Sequence, residues 1–388
     1  MTTKHLAFVL CVVSAVSCAR ITALFAEDTK MDWPEVIQKP YMNLPAGGEK
    51  LTPLPDTAEA WKARRGEIQA AWRKILGPDP KRPPLDPVVE SDEIREGIRY
   101  VLLSFATEGP DRCKAYLLIP SDYRPGEKRP AVVVFHQTTL ETLLEPVGLG
   151  WPAYAFALDL TRRGYVTLSP ECYIMKDQGP KEEYGETWGP HAQAEKLIAR
   201  RPGWTGMGKM TSDASRCVDY LETRPEVDAE RIAACGFSLG AKEVLYAMAF
   251  DPRYRVGVFM EGGIGLKMSN WLDPWYLTGF PREKIGEREH HELLALIAPR
   301  PFLLIGADDG TGKNTNAADG VPSWPFAKAA LPVYRALGAG DRLGLYCNGL
   351  NEHNMDKFSK DLAYKWIDEC LNAADTNNLG MATAESAE

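Results

Sequence analysis

The stretch Arg231-Ile232-Ala233-Ala234-Cys235-Gly236-Phe237-Ser238-Leu239-Gly240-Ala241-Lys242 joins two different local patterns through one short turn. Up to Cys235 the residues are short and apolar, as in a buried strand; from Ala241 to Phe250 strong helix formers carry apolar residues at helical spacing. Between them lies Gly236-x-Ser238-x-Gly240. In a strand-turn-helix of this kind the glycines remove side chains where strand and helix cross. The turn lifts the serine hydroxyl clear of both, and the N–H of the next residue can face a developing oxyanion. Ser238 is the candidate nucleophile, and Leu239 the candidate donor behind it. A tight turn with an N-capping serine would carry the same letters.

Working outward, Thr57 to Leu76 predicts a helix, with Trp61, Ile68, Trp72, Ile75 and Leu76 on one face and Gly77-Pro78 as its stop. Ile94 to Ser104 and Cys113 to Ile119 predict an antiparallel pair at a sheet edge. From there strands and helices alternate. Ala131 to Phe135, Tyr165 to Leu168, Ile232 to Cys235, Val256 to Met260, Phe302 to Ile305 and Leu343 to Cys347 read as strands. Tyr154 to Arg163, Thr211 to Thr223, the segment after Ser238, a short stretch ending at Ala298, one ending near Leu337 and one ending at Leu371 read as helices. Alternation of this kind predicts an α/β fold: a mostly parallel, doubly wound sheet with an antiparallel N-terminal edge. The expected division is a leader over 1–26, an arm and helix packed on the domain over 27–90, the main domain over 91–371 and a disordered tail over 372–388.

The chain has 388 residues, 45% hydrophobic and 25% charged, the balance of a soluble globular protein. A net charge of −8 with no local basic run disfavours nucleic acid as a partner. Lys4 and His5 precede an apolar run from Leu6 to Val16 and small residues up to Ala26, the pattern of a signal peptide cleaved near Ala26 and too short for a membrane span. A secreted or periplasmic location follows. Cys18 offers a second possibility, a lipid-anchored cysteine, although Ala15-Val16-Ser17 lacks the leucine usual before one. Beyond the leader, Cys113, Cys172, Cys217, Cys235, Cys347 and Cys370 are too few for a disulfide scaffold in a domain this large, and small buried hydrophobes is the plainer reading for those inside strands and helices. Sequence does not give their pairing or the oligomeric state.

A serine hydroxyl needs a base within hydrogen-bond reach and a carboxylate to orient that base. His353 lies in a polar loop between the last strand and the last helix, on the side where ligands bind in doubly wound sheets, and is the candidate base. His136 ends a strand and also faces that crevice, with Gln137 beside it as a second backbone donor. His290 and His291 are adjacent, not four apart, so they cannot chelate zinc from one helical face, and no metal or other cofactor is expected. His191 sits among Gly and Pro residues and is expected in a pocket-lining loop. Three carboxylates compete for the acid. Asp309 is preferred on its Gly-x-x-Asp spacing, Asp308 is nearer the strand end, and Glu261 ends the preceding strand, where capping the Gly262-Gly263 turn would also explain it.

From about Pro130 to Leu371 the chain resembles the α/β-hydrolase superfamily, and within it the dienelactone-hydrolase-like and acetylxylan-esterase-like exported proteins. The matching segments are Ala131-Val132-Val133-Val134-Phe135-His136-Gln137-Thr138-Thr139, the turn at Ser238, Ser269-Asn270-Trp271 with Pro274-Trp275-Tyr276-Leu277, and His291-Glu292-Leu293-Leu294 with Ala298-Pro299-Arg300-Pro301-Phe302-Leu303-Leu304-Ile305-Gly306. The resemblance implies a Ser-Asp-His order and an oxyanion loop at Gln137. It also implies ester chemistry, because a dienelactone hydrolase proper carries a cysteine at the position of Ser238. There is similarity to glucuronoyl esterases as well, whose turn reads G-C-S-R-x-G-K and whose acid can follow the strand after the turn's helix. Lys242 and Glu261 match that layout, whereas Leu239 stands where the arginine would be. Trp151, Trp188, Trp204, Trp271, Trp275 and Trp324 lie in or beside loops, where indoles stack on sugars or fill cores. His136, Lys242 and Trp271 are the candidate substrate contacts. The expectation is an exported serine esterase acting on a small-molecule or carbohydrate ester; a peptidase with the same residues, or a binding protein that kept the fold, are the competing readings.

Overall fold

The computed structural model describes residues 50–176, 189–267, 269–307, 318–350 and 352–373. In chain order its elements begin with helix α1 (Ala58–Leu76) and strands β1 (Val88–Arg95), β2 (Ile98–Ala106), β3 (Arg112–Ile119) and β4 (Arg129–Phe135). Helix α2 (Phe156–Arg162), β5 (Val166–Pro170), α3 (Gly189–Arg200), α4 (Gly206–Glu222) and β6 (Val227–Phe237) follow. The last part comprises α5 (Leu239–Phe250), β7 (Tyr254–Met260), the short α6 (Pro274–Leu277), α7 (His291–Ile297), β8 (Phe302–Gly306), α8 (Trp324–Ala336), β9 (Leu343–Cys347) and α9 (Lys357–Ala373).

The described strands make one nine-stranded sheet in the order β1-β2-β3-β5-β4-β6-β7-β8-β9. The pairs from β1 to β5 are antiparallel, and every pair from β5 through β4 to β9 is parallel. Side chains alternate across the parallel part. Ala131, Val133 and Phe135 of β4 face a core with α1, α4, α5, α7 and α8, while Val132 and Val134 face a second core with α2 and α9. Both faces are dry, which is why these strands read as unbroken apolar runs.

Three expectations change. The segment Ile94 to Ser104, expected as one strand, turns back on itself at Glu96-Gly97, where φ is 48° and 82°, so the antiparallel edge is a three-stranded meander. Two consecutive left-handed residues close the tightest hairpin, and a charged residue followed by glycine permits them. Ile94, before the reversal, is consequently 74% exposed, while Ile98, after it, is buried. His191, expected in a loop, lies on α3; Gly189-Pro190 starts that helix, since proline fits a first turn. The final helix continues to Ala373, two residues into the expected tail. Residues 1–49, with the leader and most of the arm, and the tail from 374 lie outside the described residues.

Helix α1 matches its expectation: Thr57 Oγ1 accepts from the N–H of Ala60 at 3.3 Å, and Trp61, Ile68, Trp72, Ile75 and Leu76 are buried. The Trp72 indole N–H donates to Glu292 Oε2 at 2.6 Å, in a core where Arg288 is the other donor to that oxygen. The six described cysteines form no disulfide with one another, and four of them are buried. Among the described residues no helix is long and apolar enough to cross a membrane.

Trp72→Phe keeps most of the ring and deletes the donor to a buried carboxylate. The expected cost is about 1–3 kcal/mol of unfolding free energy, read from the denaturation midpoint at unchanged m-value; an unchanged midpoint would show that the Trp72–Glu292 contact contributes nothing.

Candidate functional site

Ser238 joins β6 directly to α5 with φ 56° and ψ −113°, a region that a residue with a Cβ enters only when its surroundings hold it there. Those surroundings are backbone. The Ser238 N–H donates to Met260 O of the neighbouring strand at 2.8 Å, and Ser238 O accepts from the Lys242 N–H at 3.3 Å. A Cβ on Gly236 would lie 2.4 Å from the Gly240 carbonyl, and one on Gly240 2.1 Å from Phe135 O. Side chains at either position would push the strand, the helix or the end of β4 away, so the close crossing depends on both glycines.

Three side chains meet at this turn from the carboxyl ends of β6, β7 and β9. His353, in the loop between β9 and α9, places Nε2 2.9 Å from Ser238 Oγ, and its Nδ1 lies 3.1 Å from Glu261 Oε2. An ionised carboxylate only accepts, so Nδ1 carries the proton and Nε2 is free to accept from the serine hydroxyl. The imidazole stacks on Phe237 at 4.8 Å between centroids, and Phe237 stacks on Tyr154 at 5.3 Å, which fixes the ring plane.

Glu261 follows β7 at φ 53°, and its own N–H donates to Ile305 O at 2.9 Å. Its carboxylate is fully buried and accepts from the N–H groups of Ala307 at 2.6 Å, Ala318 at 2.9 Å and Asp319 at 3.2 Å. Burial raises its proton affinity above the ordinary carboxylate value; the His353 hydrogen bond opposes that rise, the nearby Asp319 charge adds to it, and the N–H groups of Ala307 and Ala318 oppose it. Asp308 and Asp309 lie outside the described residues. Among the described residues, Glu261 is the carboxylate hydrogen-bonded to His353.

The two candidate oxyanion donors converge at the same turn. Leu239 is the first residue of α5, where N–H groups have no intrahelical acceptor and the helix dipole is positive. Gln137 follows the end of β4, which packs on the turn closely enough that a Cβ on Gly240 would stand 2.9 Å from His136 O. The Gln137 side-chain amide donates to Glu145, which also accepts from Thr139 Oγ1 at 2.8 Å, so the loop after β4 is tied down.

The expected substrate contacts are placed differently. His136 is fully buried with both ring nitrogens engaged: Nδ1–H donates to Gln137 O at 2.6 Å and Nε2 accepts the Cys172 N–H at 2.9 Å. Burial drives its pKa down to about 4, so it is a neutral clamp between the loops after β4 and β5. Trp271 is also fully buried; its N–H donates to Gly263 O at 2.6 Å and one face lies 5.2 Å from Lys242 Nζ. Lys242, one turn after Ser238, is buried over the Trp271 and Tyr276 rings and donates to Ser269 Oγ at 3.3 Å. Burial brings it down to about 8, against the pull of Asp319, Asp273 and Glu261. Trp204, Trp275 and Trp324 are core residues, Trp188 lies outside the described residues, and Trp151 alone of the set is open, at 62% exposure. His290 is buried and its two ring nitrogens hold Ile264 O and the Tyr246 hydroxyl, His291 holds Thr52 O, and His191 packs edge-on against Trp275. No group of three potential metal ligands occurs among the described residues.

Sequence reading missed one residue of this cluster, Asp319, which is buried beside Glu261. Its only local signal is a position just before the Pro-rich start of α8, which reads as a capping residue.

The model of the dienelactone hydrolase family matches residues 113–259, which run from β3 through the Ser238 turn to β7. A 4-O-methyl-glucuronoyl methylesterase of Wolfiporia cocos is 25% identical over 325 residues, covering 76% of this chain and 71% of the relative. Among solved structures, a glucuronoyl esterase from Solibacter usitatus superposes with a TM-score of 0.61 at 19% identity over 80% of this chain and 93% of its own. An acetyl xylan esterase from Paenibacillus sp. R4 superposes with a TM-score of 0.52 at 15% identity over 84% of this chain and 100% of its own. The mostly parallel sheet and the serine turn at its centre agree with these comparisons: the chain has an α/β-hydrolase-type fold, with a dienelactone hydrolase family match over its central segment and likeness to glucuronoyl and acetyl xylan esterases.

Proposed function

We propose that the protein is an exported serine esterase that cleaves carboxylic esters of carbohydrates through Ser238, His353 and Glu261. Its relatives support the coarser statement, a carboxylic ester hydrolase. The observation that carries the finer one is the unbroken contact line from Ser238 Oγ to His353 Nε2 and from His353 Nδ1 to a buried carboxylate.

In this reading Ser238 Oγ attacks the ester carbonyl carbon as its proton passes to His353 Nε2, and the carbonyl oxygen becomes an oxyanion held by the N–H groups of Leu239 and Gln137. Collapse breaks the bond to the alcohol oxygen, which takes the proton from the imidazolium and leaves as the alcohol. The acyl group stays on Ser238. Water then attacks, gives its proton to His353, and the second collapse releases the acid and returns the proton to Ser238. Glu261 stabilises the imidazolium in both halves, and each step draws on groups of this chain without a cofactor. A uronate or acetyl ester of a polysaccharide suits the relatives and the buried Lys242 cation near the serine.

Ser238→Ala is expected to lose several orders of magnitude in kcat with an unchanged melting temperature, since one half-exposed hydroxyl contributes little to stability and all of the covalent chemistry. Near-wild-type turnover would rule out the serine mechanism. The substrate class is read by assaying aryl acetates, acetylated xylan, glucuronate esters and peptide amides side by side; peptide cleavage without ester cleavage would overturn the esterase reading.

Glu261→Gln is expected to cost up to about 10⁴ in kcat, while Asp309→Asn stays within a few-fold of wild type. The reverse ranking, with unchanged melts, would move the acid one strand later. For export, N-terminal sequencing of the native protein should begin near Glu27; an intact Met1 would refute the leader, and a lipid on Cys18 would replace a soluble product with an anchored one.

A further inference from the structure

We propose that Asp319 is a positioning residue for the acid of this site: its buried carboxylate holds the backbone on which Glu261 stands, so that Glu261 meets His353 Nδ1. This rests on the Ser238–His353–Glu261 reading and adds to it the device that fixes the third member.

Glu261 needs such a device. It leaves β7 in a left-handed conformation, φ 53°, followed by two glycines that impose no direction of their own. Asp319 supplies the direction. Its Oδ2 accepts the Gly263 N–H at 2.6 Å, and its Oδ1 accepts the Ile264 N–H at 2.8 Å and the Ser323 hydroxyl at 2.7 Å. Successive backbone N–H groups closing on one anion form a compact, directional grip. The same two residues are held from their carbonyl side, Gly263 O by the Trp271 indole and Ile264 O by His290 Nδ1. Meanwhile the backbone N–H of Asp319 donates to Glu261 Oε1 at 3.2 Å. Asp319 thus touches the acid at both ends, its carboxylate gripping the turn that follows Glu261 and its peptide gripping the Glu261 carboxylate.

The arrangement carries an electrostatic cost that a packing role alone would not require. Two buried carboxylates stand close together, and the Asp319 charge makes Glu261 harder to ionise. An uncharged residue could fill the space, but an amide in place of the carboxylate offers one oxygen where two are used and turns an NH₂ group towards a backbone N–H. Burial raises the proton affinity of Asp319 above the ordinary carboxylate value, and the Ser323 hydroxyl, the Gly263 and Ile264 N–H groups and the Lys242 charge oppose that rise. The packing is tight enough to hold the grip in place, since a Cβ on Gly306, the last residue of β8, would lie 2.5 Å from Asp319 O.

The test is a double-mutant cycle between Asp319→Asn and Glu261→Gln, with kcat and KM on one aryl acetate and a thermal melt for each enzyme. On the wild-type background Asp319→Asn is expected to lower kcat about 10–100-fold, the size of a misplaced catalytic group, with little change in KM. On the Glu261→Gln background it should lower kcat no further, because the group it positions is gone. An equal loss on both backgrounds shows that Asp319 acts through something other than Glu261 and overturns the proposal. A severe Glu261→Gln beside a harmless Asp319→Asn overturns it while leaving the mechanism standing, whereas a harmless Glu261→Gln overturns the acid assignment and this role with it. Should Asp319→Asn not fold, Ser323→Ala, which removes one donor from Asp319, replaces it in the cycle: a loss of kcat confined to the wild-type background supports the role, and one of equal size on both backgrounds, or none on either, ends it.

Discussion

The site depends on a backbone crossing at van der Waals contact. At Ser238 the chain passes from a central strand into a helix without an intervening loop, in a conformation costing on the order of 1–3 kcal/mol for a residue with a side chain. Only a rigid frame can hold that strain, and the frame is the parallel sheet, which supplies the Met260 carbonyl to the Ser238 N–H and the end of β4 to the floor of the turn. The same crossing places the Ser238 hydroxyl at the first turn of α5, with His136 and the end of β4 packed against that turn.

Around that crossing the charges are sorted by burial. His136 and His290 are buried and held neutral, His136 fastening two loops and His290 fastening the Ile264 loop to Tyr246 of α5, each through both ring nitrogens. His353 differs in being 38% exposed on its side chain while resting on a carboxylate with no exposure at all. The proposed base role needs such asymmetry: one nitrogen anchored in a low-dielectric interior, the other open to substrate and water. Burial favours the protonated form of Glu261, and the His353 hydrogen bond and the backbone N–H groups that converge on its carboxylate oppose that, a fixed form of solvation for the anion.

Much of this was legible from local pattern. The strand-turn-helix at Ser238 could be read because two periodicities meet there, and the six parallel strands because burial on both faces leaves continuous apolar runs. The carboxylate on His353 was not legible in the same way. Glu261 follows a buried strand, and what holds it there is a set of N–H groups arriving from 46 to 58 residues further along the chain. No local signal carries that information. Of the two readings open for the tryptophans, Trp271 and Trp204 follow the core one: they are buried and donate to loop carbonyls, Gly263 O and Pro78 O, and a loop fastened by an indole has the same sequence as a loop displaying one. Glu96-Gly97 was overlooked because an apolar alternation ran through it, although two residues tolerant of left-handed backbone are enough to reverse a strand.

Leu239 shows how an apparent gap in a motif can be structural. The residue after the nucleophile carries an apolar side chain that is fully buried in the larger core, between the sheet and its helices. It therefore contributes its N–H to the crevice and its side chain to packing. A cation at this position would have to leave the core to meet a substrate charge, and the leucine side chain would no longer fill its place. The nearest buried cation on the same helix is Lys242, held over two aromatic rings and kept protonated near neutral pH by the Asp319, Asp273 and Glu261 charges. The Lys242 side chain is itself almost fully buried, three residues beyond Leu239, so its charge acts on its surroundings through the core. It is coupled to Asp319 and to Glu261, the carboxylate on His353, so that removing it would shift the electrostatics of both carboxylates together.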